Sequence, residues 1–505
     1  MNFLSLRSCF QGTKGYLFGL ELAQMTYIRK VKTASGATAV QIVRKEKGEI
    51  RQLSHIGSAH NPEELSLLME LASKRLHEGQ LDLFKEDTDF LKMGIKRTFS
   101  AILMEQLRKQ YRALGFDRLN DEVFELLCLA RIVEPVSKID SLRVLEDLGV
   151  ERIDHNKLYR CLAKVEELDY RTQISQACFE KVRQNGLTLL LYDVTTLYFE
   201  AEQEDEYRKS GLSKERRLEP QIIIGLLVDQ KGFPLELQSF EGNKAETKTI
   251  LPVIKAFQAR YGLTEITVVA DAAMLSTENL SALSEAGFTY IVGSRLQKIP
   301  YDLLEYQRTQ TMEDQQIFTV EQGEKRVIYQ YRAKRAALDL KNIEKQIARA
   351  EKALSGQAPV TRTKFLKISG AHKQLNQDLI DKHRKMAGIK AYVTNLGIPD
   401  QEVIDYYHQL FHVESSFRMA KSDLRARPIY HRKRDAIEAH LTIVLAGMAI
   451  SKEIEAKTGI SIKQFVNLLR PLRSAIVNFK GNELLVAPEI PPSIREILLT
   501  LSSGH

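Results

Sequence analysis

Two aspartates stand at positions where a carboxylate is hard to explain by structure alone. Asp193 interrupts the apolar run LTLLLYDVTTLYF, which has the pattern of a strand buried on both faces. A charge there costs on the order of several kcal/mol unless it is paired or binds a metal ion. Asp271 ends the segment ITVVAD and precedes small residues, and functional groups gather at strand ends in open sheets. Taken singly, the two could be a loop residue and a turn residue.

A third carboxylate lies in a segment with a helical pattern. At 3.6 residues per turn, Glu414 shares one face with Tyr407, Leu410, Arg418 and Lys421. A carboxylate beside two cations and a phenol can bind both a metal ion and a phosphate. The alternative from helix geometry alone is a solvated face with an exposed Glu–Arg pair.

Together, the three acids predict a metal-dependent reaction on phosphate esters. Carboxylate oxygens are hard ligands that suit Mg²⁺ or Mn²⁺. Two such ions, roughly 3.5 to 4 Å apart, can activate a water or a 3′-hydroxyl and stabilise the leaving oxygen. We therefore expect Asp193, Asp271 and Glu414 to be both the catalytic residues and the ligands of two ions per site.

The elements around these acids predict an α/β fold with a mixed sheet flanked by helices. Three strand patterns joined by short connections should be antiparallel, and two later strands separated by helices should be parallel. In chain order the segments are LTLLLYDVTTLYF, QIIIGLLVD, FPLELQSFEGN, a helix over about 246–261, EITVVAD, a helix over 277–286 and FTYIVGS. This order is that of a ribonuclease H-like catalytic domain.

Residues 299–374 interrupt that order and are predicted to be an insertion. The insertion contains a β-hairpin around Gly323 and a charged helix, KRAALDLKNIEKQIARAEKAL. A strand, AYVTNL, then resumes the domain, and one long helix is predicted from about Asp400 to Leu424. The last 60 or so residues have the pattern of apolar helices and loops.

The N-terminal part has two patterns. Residues 26–57 alternate apolar and polar like a small β-meander, and residues 61–184 are helical with a possible DNA-binding role. SKIDSLRVLEDLGV and DHNKLYRCLAKVEEL resemble a helix-turn-helix, which would bring Lys157, Tyr159 and Arg160 near a major groove. An ordinary helical hairpin remains the alternative.

Composition is that of a folded protein without a membrane span. The chain has 505 residues, 44% hydrophobic and 27% charged, with a net charge of +8, which permits a polyanionic partner. Its cysteines, Cys9, Cys128, Cys161 and Cys178, form no C-x-x-C pair, so we expect buried free thiols in a reducing cytoplasm. No signal peptide is evident, and Met25 is the expected true start.

These patterns divide the chain into seven predicted segments. They are an upstream extension (1–24), a β region (25–60), a helical region (61–184), a first catalytic part (185–298), an insertion (299–374), a second catalytic part with the Glu helix (375–455) and a C-terminal helical segment (456–505).

From about Met25 to Ile454 the chain resembles insertion-sequence transposases of the DDE type that carry a Tyr-x2-Arg-x3-Glu-x6-Lys motif. Tyr407, Glu414 and Lys421 fall at the matching positions, whereas Leu410 stands at the Arg position. The segments YDVTTLYFE, QIIIGLLVDQKGFPLELQSFEGNKAE, VVADAAMLSTENL and RPIYH are also similar to the family.

The resemblance implies a DNA transposase that cleaves and joins insertion-sequence ends. Asp193, Asp271 and Glu414 would hold Mg²⁺ or Mn²⁺, Tyr407 would contact DNA, and Arg418 would replace the missing Arg. A run of basic residues would follow the phosphate backbone: Lys421, Arg425, Arg427, His431, Arg432 and Lys433.

The implied partners are the terminal inverted repeats and the target DNA, bound by a homodimer in a nucleoid-associated prokaryotic complex. Two other functions stay open from the residues. One is a metal-dependent nuclease of the same fold, and the other is an inactive transposase-derived DNA-binding protein, which Leu410 keeps possible.

Overall fold

The computed structural model describes residues 26–503 apart from 34–35, 47–48, 77–93, 185, 201–202, 212–217, 264–265, 273–275, 295, 297, 358, 360–362, 370–371 and 480–481. The expected extension before Met25, and Cys9 within it, lie outside the described residues. The chain divides into two compact units, Met1–Lys92 and Met93–His505.

The first unit confirms the predicted β-meander. Strands β1 (Thr26–Lys32), β2 (Thr38–Glu46) and β3 (Glu49–Ala59) form an antiparallel sheet in that order. Helix α1 (Pro62–Leu76) packs on this sheet through Ala72, which is buried with residues of β2. Its proline occupies the first helical turn, where the missing N–H costs nothing.

The second unit contains the remaining elements. Its strands are β4 (Gly94–Phe99), β5 (Leu189–Tyr198), β6 (Gln221–Val228), β7 (Pro234–Glu241), β8 (Thr267–Ala270), β9 (Thr289–Ser294), β10 (Ile317–Gln322), β11 (Lys325–Tyr331), β12 (Leu366–Ser369), β13 (His372–Leu375), β14 (Ile389–Thr394), β15 (Ser474–Phe479) and β16 (Asn482–Val486). Its helices are α2 (Ala101–Ala113), α3 (Glu122–Val133), α4 (Ser141–Asp147), α5 (His155–Glu167), α6 (Tyr170–Gln184), α7 (Ile250–Tyr261), α8 (Thr277–Glu285), α9 (Tyr301–Thr309), α10 (Ala333–Leu354), α11 (Gln377–Met386), α12 (Asp400–His408), α13 (Phe411–Arg418), α14 (Arg434–Thr458), α15 (Ile462–Leu469) and α16 (Pro492–Ser503).

An eight-stranded mixed sheet forms the centre of this unit, in the order β10-β11-β14-β9-β8-β5-β6-β7. As predicted, β5, β6 and β7 are antiparallel neighbours, whereas β8 and β9 run parallel to β5. Helices α7 and α8 make the crossovers, and every residue of β6 and β8 is buried. This confirms the α/β, ribonuclease H-like fold with a mixed sheet flanked by helices.

The predicted hairpin in the insertion is present and extends the same sheet. Strands β10 and β11 turn around Gly323, and β11 pairs with β14, which itself pairs with β9. The charged helix α10 follows, and buried residues such as Ile343 and Phe365 give it a small core of its own. The boundaries 299–374, like the other segment boundaries, stay predictions.

Two regions predicted to be helical, one of them with loops, also contain strands. In the C-terminal segment, β15 pairs with β16 and with β4, which lies within the N-terminal helical region. Ser100, directly after β4, donates its hydroxyl to the Arg470 carbonyl at 2.7 Å. Because the two paired segments lie more than 370 residues apart, local patterns could not reveal the pairing.

Helix α14 packs between the eight-stranded sheet and the N-terminal helices of this unit. Most of its 25 residues are buried, and it packs against α3, α5, α6 and β7. Cys128, Cys161 and Cys178 are buried free thiols, as predicted. Among the described residues, no helix combines the length and the apolar composition that crossing a bilayer requires.

Candidate active site

The register of two neighbouring strands brings the first two carboxylates together. The last parallel pair between β5 and β8 joins Tyr192 to Ala270, so Asp193 and Asp271 each follow by one residue. Adjacent strands lie about 4.8 Å apart, and residues at the same level project from the same face. Two aspartates 78 positions apart in the sequence therefore stand side by side.

Helix α13 brings the third carboxylate to this edge of the sheet. It packs against β5 and β6, and the Ser416 hydroxyl donates to the Gly232 carbonyl, in the turn between β6 and β7, at 2.7 Å. Val413 and Phe417 are buried on the same side, whereas Glu414 is exposed. The buried face of the helix thus fixes the position from which Glu414 projects.

The predicted helix over Asp400–Leu424 is not continuous. At Gln409 and Leu410 the amide groups bond to carbonyls three residues back, which tightens the chain between α12 and α13. From Met419 to Asp423 the chain widens into a π-helical turn. Such irregularities change which side chains share a face, and π-turns are frequent at functional sites. The prediction of one long helix is therefore wrong in its continuity, although its ends are nearly right.

All three carboxylates line one cavity of about 580 Å³, named here the acidic cavity. Tyr407 and Leu410 also line it, but Arg418 and Lys421 do not. The described residues that line it are Asp193, Asp271, Arg335, Lys390, Tyr407, His408, Leu410, Phe411, Val413 and Glu414. The shared face inferred from helical spacing therefore holds for Tyr407, Leu410 and Glu414. It fails for Arg418, the last residue of α13, and for Lys421, which lies within the π-turn.

Tyr407 connects the helix to one of the aspartates. Its hydroxyl donates to Oδ1 of Asp271 at 3.1 Å, and its side chain is only 7% exposed. Burial and the Asp271 carboxylate raise the pKa of Tyr407, so the phenol keeps its proton. Gly293 of β9 makes room for this phenol, because a Cβ there would lie 2.5 Å from the hydroxyl oxygen.

Two cations in the acidic cavity were missed by sequence reasoning. Lys390 of β14 places its ammonium 4.2 Å from the centroid of the Tyr407 ring, and Arg335 projects from the first turn of α10. Burial and Arg335 lower the pKa of Lys390, while Asp271 and Glu414 act in the opposite direction. Arg335 comes from the segment assigned to the insertion, and Lys390 comes from the second catalytic part. No sequence pattern near Arg335 or Lys390 indicated a functional role. The two residues come together in the acidic cavity through the pairing of β11 with β14.

The donor set of the acidic cavity fits a divalent cation. It offers three carboxylates, and Asp193 and Asp271 each use Oδ1 to accept the N–H of the next residue at 2.7 Å. Within the part of the chain that is described, no group of three acidic, His or Cys residues is spaced to chelate one ion. A single ion held by all three carboxylates would therefore require the side chains to move toward one another.

The other predicted DNA-binding residues fall into two groups. Lys421, Arg425, Arg427 and His431 line a second cavity, described below. Arg432 and Lys433 are exposed just before α14, and Lys157 and Arg160 are exposed on α5. Arg418 is exposed, and among the described residues it lines neither cavity.

Helices α4 and α5 confirm the predicted helical pair. The Asp154 side chain caps α5 by accepting the Asn156 amide at 3.0 Å. DNA contact by this pair stays a prediction.

Comparison with known proteins adds a family to this geometry. The sequence profile of the family described as "Transposase DDE domain" matches residues 184–449, just over half of the chain. No curated protein matches the chain. One similar solved structure is the cryo-EM structure of a piggyBac transposase synaptic complex with hairpin DNA. It has 11% sequence identity and a TM-score of 0.41, over 74% of this chain and 77% of that one.

Proposed function

Because this chain belongs to the Transposase DDE domain family and is a DNA transposase, we propose that its catalytic residues are Asp193, Asp271 and Glu414. The observation that carries this assignment is that three carboxylates from β5, the end of β8 and α13 line one cavity. The reaction is phosphoryl transfer on DNA, in which a strand is cleaved and its free 3′-hydroxyl then attacks a second phosphodiester.

The three carboxylates would hold divalent cations, Mg²⁺ or Mn²⁺, with two ions per site. When bound, such ions lower the pKa of an attacking water or hydroxyl and stabilise the leaving oxygen. The residues of this chain contribute by positioning the carboxylates that would hold the ions. Strand register fixes Asp193 beside Asp271, and the Tyr407 hydroxyl restrains Asp271. Such hydrogen bonds to a metal ligand typically affect affinity or activity about 10- to 100-fold.

Arg335 and Lys390 supply the positive charge that Leu410 cannot. Leu410 occupies the position of the motif's arginine and is buried at 8% exposure, so it offers no group to a phosphate. Arg335 lines the same cavity from α10, and its guanidinium can form two parallel bonds to phosphate oxygens. In this proposal Arg335, rather than Arg418, binds the phosphate beside the reacting bond.

The DNA partners would be the terminal inverted repeats and the target. The basic residues that follow Glu414 support this, because Lys421, Arg425, Arg427 and His431 line a neighbouring cavity and Arg432 and Lys433 are exposed. Pairing of two transposon ends would require a homodimer. Sedimentation with and without end DNA tests that state, and a complex with a single protein copy per two ends would refute it.

Cleavage of DNA copied from the region flanking the coding sequence tests the catalytic residues. We expect Mg²⁺-dependent nicking by the wild type and a loss of roughly 10³-fold or more in Asp193→Asn, Asp271→Asn and Glu414→Gln, since each loses several kcal/mol of transition-state stabilisation. Asp405→Asn is the matched control, because Asp405 is exposed on α12 and does not line the acidic cavity. Equal loss in the control, or normal cleavage by any of the three variants, would refute the assignment.

A strand-transfer assay separates the transposase from a nuclease of the same fold. A labelled end with a free 3′-hydroxyl is incubated with plasmid and Mg²⁺, and joined products are counted. We expect joined products from the wild type and from Asp405→Asn only. Cleavage without joining would support the nuclease, and binding without either reaction would support a DNA-binding protein that has lost catalysis.

A further inference from the structure

A second cavity, of about 950 Å³, carries a strong excess of positive charge and is named here the basic cavity. Among the described residues that line it are five cations and a single carboxylate, that of Asp140, which accepts the Ser137 hydroxyl at 2.7 Å. The cations are Arg131, Lys138, Lys421, Arg425 and Arg427. A cavity of this size with such an imbalance attracts an anion, because its walls focus the field.

Two of these cations are buried without a counter-charge. Arg131 is 7% exposed and Lys138 is 6% exposed, and in the described part of the chain neither forms an ion pair or a hydrogen bond. Burial lowers the pKa of Arg131 to about 10, and burial together with Arg131 lowers the pKa of Lys138. An uncompensated buried charge is costly, so a fold that keeps two of them side by side favours an anionic ligand.

Two histidines complete the floor of the basic cavity. The His431 and His440 rings lie 5.7 Å apart, and a ring nitrogen of His440, Nε2, is 3.1 Å from the Ala426 carbonyl oxygen. The other nitrogen, Nδ1, is buried and has no hydrogen-bond partner among the described residues. Burial, Lys138 and Arg131 lower the pKa of His431 to about 4. Burial, Arg131 and Lys138 also lower the pKa of His440, so both rings are neutral at pH 7 and would respond to an anion placed among these cations.

Tyrosines surround the entrance to the basic cavity. Tyr159 is 52% exposed and Tyr430 is 70% exposed, and the Arg427 guanidinium lies 5.5 Å from the ring of Tyr198. Exposed aromatic rings beside cations are the usual platform for a nucleic acid strand, since bases stack on the rings while phosphates meet the cations. A free inorganic anion would make no use of these rings.

The basic cavity is connected to the acidic cavity through two elements. Asp193 and Tyr198 lie on β5, and Glu414 and Lys421 lie on α13 and its π-turn. At about 3.3 Å per strand residue and 1.5 Å per helical residue, the two cavities are separated by roughly 10 to 17 Å. A DNA strand advances about 3.4 Å per nucleotide, so this distance spans roughly three to five nucleotides.

We propose that the basic cavity binds a backbone phosphate of the cleaved DNA end, about three to five nucleotides from the reacting bond, with Arg131 and Lys138 as its charged floor. This inference rests on the proposed function and adds a binding site to it. It assigns a role to the loop Pro135–Asp140, which carries Lys138 between α3 and α4.

Binding of a duplex copied from the flanking DNA, measured by anisotropy at several salt concentrations without Mg²⁺, tests the proposal. The slope of log affinity against log salt is negative, and in Lys138→Met its magnitude should decrease by about one. That corresponds to roughly eightfold weaker binding at 0.1 M salt, if the electrostatic contribution vanishes near 1 M. Lys463→Met is the control. Lys463 is exposed on α15, so this substitution removes the same charge at a site outside the basic cavity.

The same variant should also be more stable than the wild type. Replacing an uncompensated buried ammonium by an apolar side chain of similar length removes its desolvation cost, so Tm should rise while DNA affinity falls. Lys138→Arg should keep the affinity and the salt slope. If Lys138→Met binds DNA with the wild-type slope, or if Lys463→Met weakens binding equally, the basic cavity is not a phosphate site.

The His431 ring provides a local readout that does not depend on cleavage. A tetranucleotide of deoxythymidine should raise the pKa of His431, followed by NMR of ¹³C-labelled histidines, and should leave it unchanged in Lys138→Met. An unchanged His431 signal in the wild type at saturating tetranucleotide would overturn the proposal. Cleavage assays on the same preparations distinguish a failure of this proposal from a failure of the proposed function. A protein that cleaves DNA but shows no change in His431 contradicts only the phosphate site in the basic cavity.

Discussion

Replacing Tyr407 by Phe removes one hydrogen bond in the acidic cavity and leaves the packing in place. The ring of Tyr407 lies 4.9 Å from that of Tyr392 and 4.2 Å from the Lys390 ammonium, and neither contact needs the hydroxyl. What is lost is the 3.1 Å bond to Asp271 Oδ1. Hydrogen bonds to charged groups contribute about 1.5 to 3 kcal/mol, and the exposure of Asp271 places this one at the lower end.

That loss should appear in catalysis rather than in stability. About 1.4 kcal/mol corresponds to a tenfold change in rate, so we expect the cleavage rate to fall about tenfold, or the Mg²⁺ concentration at half-saturation to rise by a similar factor. The assay is the initial cleavage rate as a function of Mg²⁺ concentration, with Tm measured in parallel. Because the pKa of Tyr407 is raised, its hydroxyl donates throughout the working range, and the loss should not vary between pH 6 and pH 9.

Tyr406→Phe provides the matched control. Its hydroxyl donates to Glu402 at 2.9 Å on the same helix, and it does not line the acidic cavity. It should cleave at nearly the wild-type rate. If Tyr407→Phe keeps both its rate and its Mg²⁺ dependence within about twofold of the wild type, the Tyr407 hydroxyl does not position Asp271 and this reasoning is refuted.

Three further changes have defined outcomes. Gly293→Ala should reproduce the cleavage defect of Tyr407→Phe, because the added Cβ would come 2.5 Å from the Tyr407 hydroxyl oxygen and displace it. Arg335→Gln should lower cleavage by roughly tenfold or more while Mg²⁺ dependence stays unchanged, since it removes a charged contact to phosphate. Glu438→Gln should lower the free energy of unfolding at pH 7 by about 3 kcal/mol, because it breaks the buried 2.7 Å pair with Arg171.

The prediction for Glu438→Gln also implies how the stability of the protein depends on pH. Burial alone would raise the pKa of Glu438, but the Arg171 charge and hydrogen bonds from Tyr207 and Ser239 outweigh it and lower the pKa. A lowered pKa in the folded state stabilises the protein above the unfolded value, about 4.3, and this contribution is lost as pH falls through the folded value. Chemical denaturation should therefore show a smaller loss of stability between pH 7 and pH 3 in Glu438→Gln than in the wild type.

The predictions for Gly293→Ala and Arg335→Gln each have a control variant. Gly397→Ala adds a methyl group where no atom of the described residues lies within 4 Å, and it should leave cleavage unchanged. Arg349→Gln removes an exposed charge from the same helix as Arg335, outside the acidic cavity. A defect in Gly397→Ala or in Arg349→Gln equal to that of its partner variant would contradict the corresponding prediction.

The sequence predicted the sheet and the carboxylates because both depend on local patterns. Continuous apolar runs identified β5 and β6, and short turns against helical crossovers gave the strand directions. Asp193 and Asp271 were conspicuous because each interrupts or ends such a run. Helical spacing then placed Tyr407 with Glu414, and both line the acidic cavity.

Only the tertiary structure decided which cations accompany these acids. Lys390 reaches the acidic cavity because β14 pairs with β9, and Arg335 reaches it because the hairpin of β10 and β11 extends the sheet beyond β14. Arg131 and Lys138 line the basic cavity together with Lys421, and α3, which carries Arg131, packs against α14. Helical spacing alone put Arg418 and Lys421 on the face of Glu414, but the π-turn after Arg418 moves Lys421 into the basic cavity. Local periodicity determines which secondary structure a segment forms. Which charges line a cavity depends on strand pairing and helix packing between segments that are far apart in the sequence.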